Sequence, residues 1–91
     1  MIVAKIVVTE GFVEDMTQVE LDSKREEIWY VISLLEYAPE MGSKILPVLI
    51  RRRFGESVYK IVVKPFDIIY RYSSKEDTVY VVGLVHQRMA Q

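Results

Sequence analysis

"SVYKIVVKPFDIIYRYSSKEDTVYVVGLVH", Ser57 to His86, decides the fold of this chain. Three short runs rich in Val, Ile, Tyr and Phe, at 58–64, 66–72 and 78–85, are separated by Lys64-Pro65 and by the polar segment from Ser73 to Asp77. Runs of β-branched and aromatic residues bounded by turn chemistry read as strands, and gaps of hairpin length make neighbours antiparallel. Immediately upstream, Val48 to Phe54 ("VLIRRRF") reads as one more strand, closed by the Gly55-Glu56-Ser57 turn.

The other half of the chain changes period. Ile2 to Val8 is a β-branched strand, and Thr9 offers a hydroxyl cap to a short helix from about Glu10 to Val19, with Phe12, Met16 and Val19 sharing a face. A second helix follows in "DSKREEIWYVISLLEYAP", where Ser23-x-x-Glu26 has capping-box spacing and Pro39 sets the limit. Ile28, Val31, Ile32 and Leu35 form its inner stripe, and Tyr30, Leu34 and Tyr37 widen that stripe beyond what one sheet contact requires. The order is β-α-α-β-β-β-β, an α+β fold with two N-terminal helices on one face of a mostly antiparallel sheet. Besides the helical stripe, Ile61, Val63, Ile68, Tyr70, Val79 and Val81 are expected in the core.

Ninety-one residues, 51% apolar and 27% charged, describe a single domain spanning 1–91 with one core. Cysteine is absent and His86 is the sole histidine, so thiolate catalysis, disulfide scaffolds and zinc-site spacings are excluded, and no cofactor or metal is expected. The first residues read as a strand interrupted by Lys5 instead of a signal peptide, and no run is long enough to span a bilayer; a cytoplasmic location is expected. The net charge is −1, but Met1 to Glu40 carries three Lys/Arg against nine Asp/Glu, and Met41 to Gln91 carries nine against four. That asymmetry suggests a basic face made by the C-terminal elements, against the plainer reading of a solvated surface.

Strand alternation assigns the faces. Tyr59, Ile61 and Val63 oppose Lys60 and Lys64; Phe66, Ile68, Tyr70 and Tyr72 oppose Asp67, Ile69 and Arg71. In "TVYVVGLVH" the same parity groups His86 with Leu84, Val82 and Tyr80, with Arg88 beyond. Arg51 and Arg53 share one face if Val48–Phe54 is a strand; they would then hold phosphate or carboxylate, or guard a sheet edge. An isolated histidine such as His86 serves either as a proton carrier or as a hydrogen-bonded strand end.

"PEMG" after the second helix, "SVYKIVVKPFDIIYRY" and the terminal "TVYVVGLVHQR" together resemble the RelE/ParE superfamily of toxins from bacterial type II toxin–antitoxin modules, also known as plasmid-stabilisation proteins. The resemblance covers nearly the whole chain and rests on the order and spacing of the motifs. It implies a growth-arresting toxin neutralised by a co-encoded antitoxin that wraps it, with Trp29, Tyr30 and Tyr37 as antitoxin anchors and operator DNA met only through that antitoxin. RelE-like members resemble mRNA interferases acting on the ribosome; in that branch His86, Arg88 and Arg71 would be catalytic. ParE-like members poison DNA gyrase and lack the basic cluster. In either branch Arg51, Arg53, Lys60 and Lys64 would meet the target or its phosphates. The near-neutral charge does not favour ribosomal RNA, and no tyrosine follows His86 in this sequence, so the ParE-like branch is expected. The alternatives are the RelE-like endoribonuclease and a non-toxic binding domain of the same fold.

Overall fold

The computed structural model describes residues 3–89. Its elements, in chain order, are β1 (Lys5–Val8), α1 (Glu10–Met16), α2 (Asp22–Leu34), α3 (Val48–Phe54), β2 (Tyr59–Val63), β3 (Phe66–Ser73), β4 (Thr78–His86) and a closing 3₁₀ turn, Gln87–Met89. The strands form one sheet in the order β1-β4-β3-β2, with β1 parallel to β4 and the other pairs antiparallel. The expected α+β class and mostly antiparallel sheet are present. The start of the expected first strand at Ile2 lies outside the described residues.

Two faces divide the core. Phe12 and Met16 of α1, Val19, and Ile28, Ile32 and Leu35 of α2 pack on Val63, Phe66, Ile68, Tyr70, Val79, Val81 and Leu84. Val31 and Ile61, expected in the core, are only partly buried against this cluster. Within it, Tyr70 stacks on Tyr59 with ring centroids 5.0 Å apart, and its hydroxyl accepts the Gly42 N–H at 2.9 Å. That bond pins the "PEMG" loop: a Cβ on Gly42 would lie 2.8 Å from the Tyr70 oxygen.

On the opposite face a second, smaller cluster joins Ile50 of α3 to Val58, Ile69 and Val85, with Leu46, Phe54 and Val82 partly buried beside it. Here the strand expected at Val48–Phe54 is replaced by a helix. Ile50 and Phe54 are four residues apart, so one helical turn brings both onto the sheet and leaves Arg52 exposed, whereas a strand would turn Arg52 inward with them. Pro47 precedes the helix and Gly55, at φ 85°, ends it in a conformation that a side chain would strain. Arg51, Arg52 and Arg53 fill the last turn, where cations suit the partial negative charge of the helix end.

Two local expectations also change. Thr9 caps α1 as expected, its hydroxyl oxygen accepting the Phe12 N–H at 3.3 Å. Ser23, however, is not a cap: α2 begins at Asp22 after Leu21, which makes no side-chain capping bond. A β-bulge shifts the β3–β4 register between Ile69 and Tyr70, which pair with Gly83 and Val81, leaving Val82 as the extra residue. His86 and Leu84 therefore share a face with Val81 and Val79, and not with Val82 and Tyr80; a single inserted residue reverses the parity of everything upstream.

Candidate functional site

β1 is too short to pair with the whole of β4, and α1 takes over beyond its end. The Thr9 N–H and hydroxyl both donate to the Val81 carbonyl, at 3.1 and 3.0 Å. Asp15 accepts the Leu84 N–H at 3.0 Å, and Gln18 Nε2 donates to the Leu84 carbonyl at 3.0 Å. Asp15 of α1 and the flanking Thr9 and Gln18 thus satisfy backbone groups of β4 that an edge strand would leave open. Asp15 also meets Arg53 at 3.1 Å, tying α1 to α3 around the bulge. Gly83 makes the approach possible: a Cβ there would sit 2.4 Å from the Phe54 ring.

α3 carries the most basic stretch of the chain. Successive helical residues are about 100° apart, so Arg51, Arg52 and Arg53 fan out, and Arg51 and Arg53 do not share a face as a strand would have had them. Arg51 lies 4.0 Å from Glu56, a loose exposed pair. Arg52 and Arg53 border an apolar concavity of about 390 Å³ lined by Leu49, Ile50, Phe54 and Val85. Reading α3 as a strand hid Leu49 and Arg52 as candidates; the bracketing Pro47 and Gly55 were the available signal.

His86 ends β4 half-buried, its ring edge-on to Phe66 at 5.4 Å. Its Nδ1 accepts the Arg88 backbone N–H at 3.1 Å, so in the neutral ring the proton is on Nε2. His86 borders a concavity of about 270 Å³ with Gln18, Glu20, Lys24 and Phe66 on the α1–α2 side of the sheet. Arg88 is exposed in the 3₁₀ turn. Among the described residues no group of three His, Cys, Asp or Glu could hold a metal ion.

The remaining cations are scattered. Arg71 is on the α3 face, and β3 runs five residues from Phe66, the partner of His86, to Arg71, a separation of about 17 Å along the strand. It lines a different concavity with Ser57, Tyr72, Ser73, Glu76 and Tyr80, where Tyr80 donates to Glu76 at 2.7 Å and Tyr72 to Asp77 at 2.9 Å. Those carboxylate acceptors hold both phenols above the ordinary tyrosine range. Lys60 is half-buried on the outer strand, its backbone paired with Ser43, and Lys64 is exposed in the β2–β3 turn. Between these and the C-terminal turn lies Asp67, buried, its carboxylate accepting Gln87 Nε2 at 3.3 Å. Arg71, His86 and Arg88 are not brought together into one site.

On the far side of α2 the aromatic candidates are accessible. Tyr30 and Tyr37 are 64% and 65% exposed, while Trp29, 44% exposed, packs edge-on against Phe12 at 5.6 Å. Tyr37 lies in the turns after α2. No helix among the described residues is long and apolar enough to cross a membrane.

This architecture is that of RelE toxins. The chain superposes on RelE of the free-state Escherichia coli mutant toxin with TM-score 0.69, 12% identity, and coverage of 97% of this chain and 87% of that one. Against a chain of the intact E. coli RelBE toxin–antitoxin complex the TM-score is 0.68 at 12% identity, covering 91% and 95%. A chain of the RelBE2 toxin–antitoxin complex of Mycobacterium tuberculosis gives 0.64 at 16% identity, covering 92% and 98%. No protein-family model and no curated protein sequence matches the chain.

Proposed function

We propose that this chain is the toxin of a type II toxin–antitoxin module, held inactive by a co-encoded antitoxin, and that its target is DNA gyrase, in the manner of ParE. The observation that carries the reading is a RelE-type fold whose candidate nuclease groups are split between the two faces of the sheet. A ribonuclease must position its acid–base and phosphate-holding groups around one scissile bond. Here the His86 ring packs on Phe66 on one face, Arg71 points from the other about 17 Å along the strand, and the buried Asp67 carboxylate sits on that second face. A target contacted by surface complementarity needs no such convergence, and α3 supplies exposed arginines for it. The antitoxin would cover Trp29, Tyr30 and Tyr37.

The test is induction of the chain in bacteria with and without its neighbouring gene, following growth, DNA content and transcript integrity. Arrest with filamentation and a DNA-damage response, relieved by the neighbour, is expected. Rapid transcript cleavage would assign the chain to the ribosome-dependent nucleases, and absence of arrest would make it a binding domain of the same fold.

A further inference from the structure

The concavity under α3 has a composition that selects its occupant. Four of its six lining residues, Leu49, Ile50, Phe54 and Val85, are apolar; the other two, Arg52 and Arg53, are cationic, and no carboxylate lines it. Ile50 is buried and Phe54 is seated against Gly83, so the floor is preformed. Arg53 is engaged by Asp15, but Arg52 has no acidic partner among the described residues. Leu49 is 41% exposed at the mouth, and Val48 at the start of the helix is 49% exposed.

We infer that this concavity is a docking site for an acidic peptide segment of a partner protein, which inserts one bulky apolar side chain between α3 and Val85 and sets a carboxylate on Arg52. The inference does not depend on the toxin reading. Its volume of about 390 Å³ lies within the range of ligand-binding pockets, roughly 300–1,000 Å³, and is enough for a large side chain. Charge complementarity decides the class of partner: an apolar wall with an unpaired guanidinium at its rim matches an aliphatic or aromatic residue flanked by Asp or Glu. A nucleic-acid backbone would lose on the same surface, because the apolar wall offers nothing to phosphate and one unpaired guanidinium, Arg52, neutralises little of a polyanion, Arg53 being engaged by Asp15.

The test uses the full chain, ¹⁵N-labelled, titrated with a ten-residue peptide carrying Leu flanked by glutamates, and in parallel with the same peptide carrying lysines in place of the glutamates. The acidic peptide should shift the amides of Leu49, Arg52, Phe54 and Val85 and the lysine peptide should not. Arg52→Glu and Leu49→Asp should each weaken binding roughly tenfold or more with the melting temperature nearly unchanged, because both side chains are exposed. Tyr37→Ala should leave the titration as it is. Absence of shifts, equal binding of both peptides, shifts confined to α2, or protection of the α3 face by self-association of the chain would each overturn the site. None of these outcomes bears on growth arrest, so failure here is separable from failure of the toxin reading.

Discussion

The two faces of the sheet use alternate residues of the same strands, yet they are finished in different ways. One face is closed by α1 and α2, with Phe12, Ile28 and Leu35 fully buried on Tyr70, Ile68 and Val81. The other has a seven-residue helix laid across it, held by Ile50, by Phe54 against Gly83 and by the Arg53–Asp15 pair. A helix that short is not stable by itself in water, so these contacts create it. The difference separates roles: the closed face supplies stability, and the partly covered face leaves arginines and apolar side chains available to partners.

The largest expected effect breaks the closed face. Ile28→Ala should cost about 2–5 kcal/mol in chemical denaturation, the range for truncating a fully buried aliphatic side chain. Leu49→Ala on α3 should change stability by less than about 0.5 kcal/mol. Comparable losses from both would mean that the α3 face is core as well.

A smaller effect, about 1–3 kcal/mol, is expected for Gly83→Ala, because its methyl group would overlap the Phe54 ring. Combining it with Phe54→Ala should recover part of that loss, since the clash disappears with the ring. Additive losses in the double variant would show that Phe54 does not depend on the glycine.

Tyr70→Phe should cost about 1 kcal/mol near neutral pH through the lost Gly42 bond. Its signature is alkaline. Burial pushes the Tyr70 phenol from 10.0 up to about 12, against the opposing pull of the Gly42 N–H. The folded state therefore keeps a proton that the unfolded chain has released, and this contribution is complete below pH 10 and lost progressively between pH 10 and about 12. Denaturation across that window should show a shallower decline for Tyr70→Phe than for the parent; parallel curves would deny the burial effect. The smallest change is Tyr37→Ala, within about 0.5 kcal/mol for the fold, with the loss appearing in antitoxin affinity measured by calorimetry.

Much of the closed face was legible because its information is local. Ile28, Ile32 and Leu35 repeat at helical spacing, Phe66, Ile68 and Tyr70 alternate, and Thr9 announces a helix start that its bond to Phe12 bears out. The α3 face was not legible for two physical reasons. "VLIRRRF" takes its conformation from tertiary contacts, Phe54 on Gly83 and Arg53 on Asp15, which lie 29 and 38 residues away in sequence and leave no periodic trace. The bulge opposite Ile69 and Tyr70 is likewise invisible to alternation, and it moved His86 from the side of Val82 and Tyr80 to that of Val81 and Val79. Asp15, which joins α1 to both β4 and α3, reads in sequence as one more solvated carboxylate.

The claim that the open face acts on a protein target, with no chemistry at His86, is tested most directly with purified chain, DNA gyrase and plasmid. The account predicts that cleaved plasmid accumulates when the chain is present, equally well with His86→Gln, and much less when Arg51 and Arg53 are both replaced by alanine. A positioned acid or base contributes about 10²- to 10⁴-fold in rate, so a nuclease would betray its histidine clearly. Gyrase left unaffected, with ribosome-bound message cut by the parent chain and spared by His86→Gln, would contradict the account.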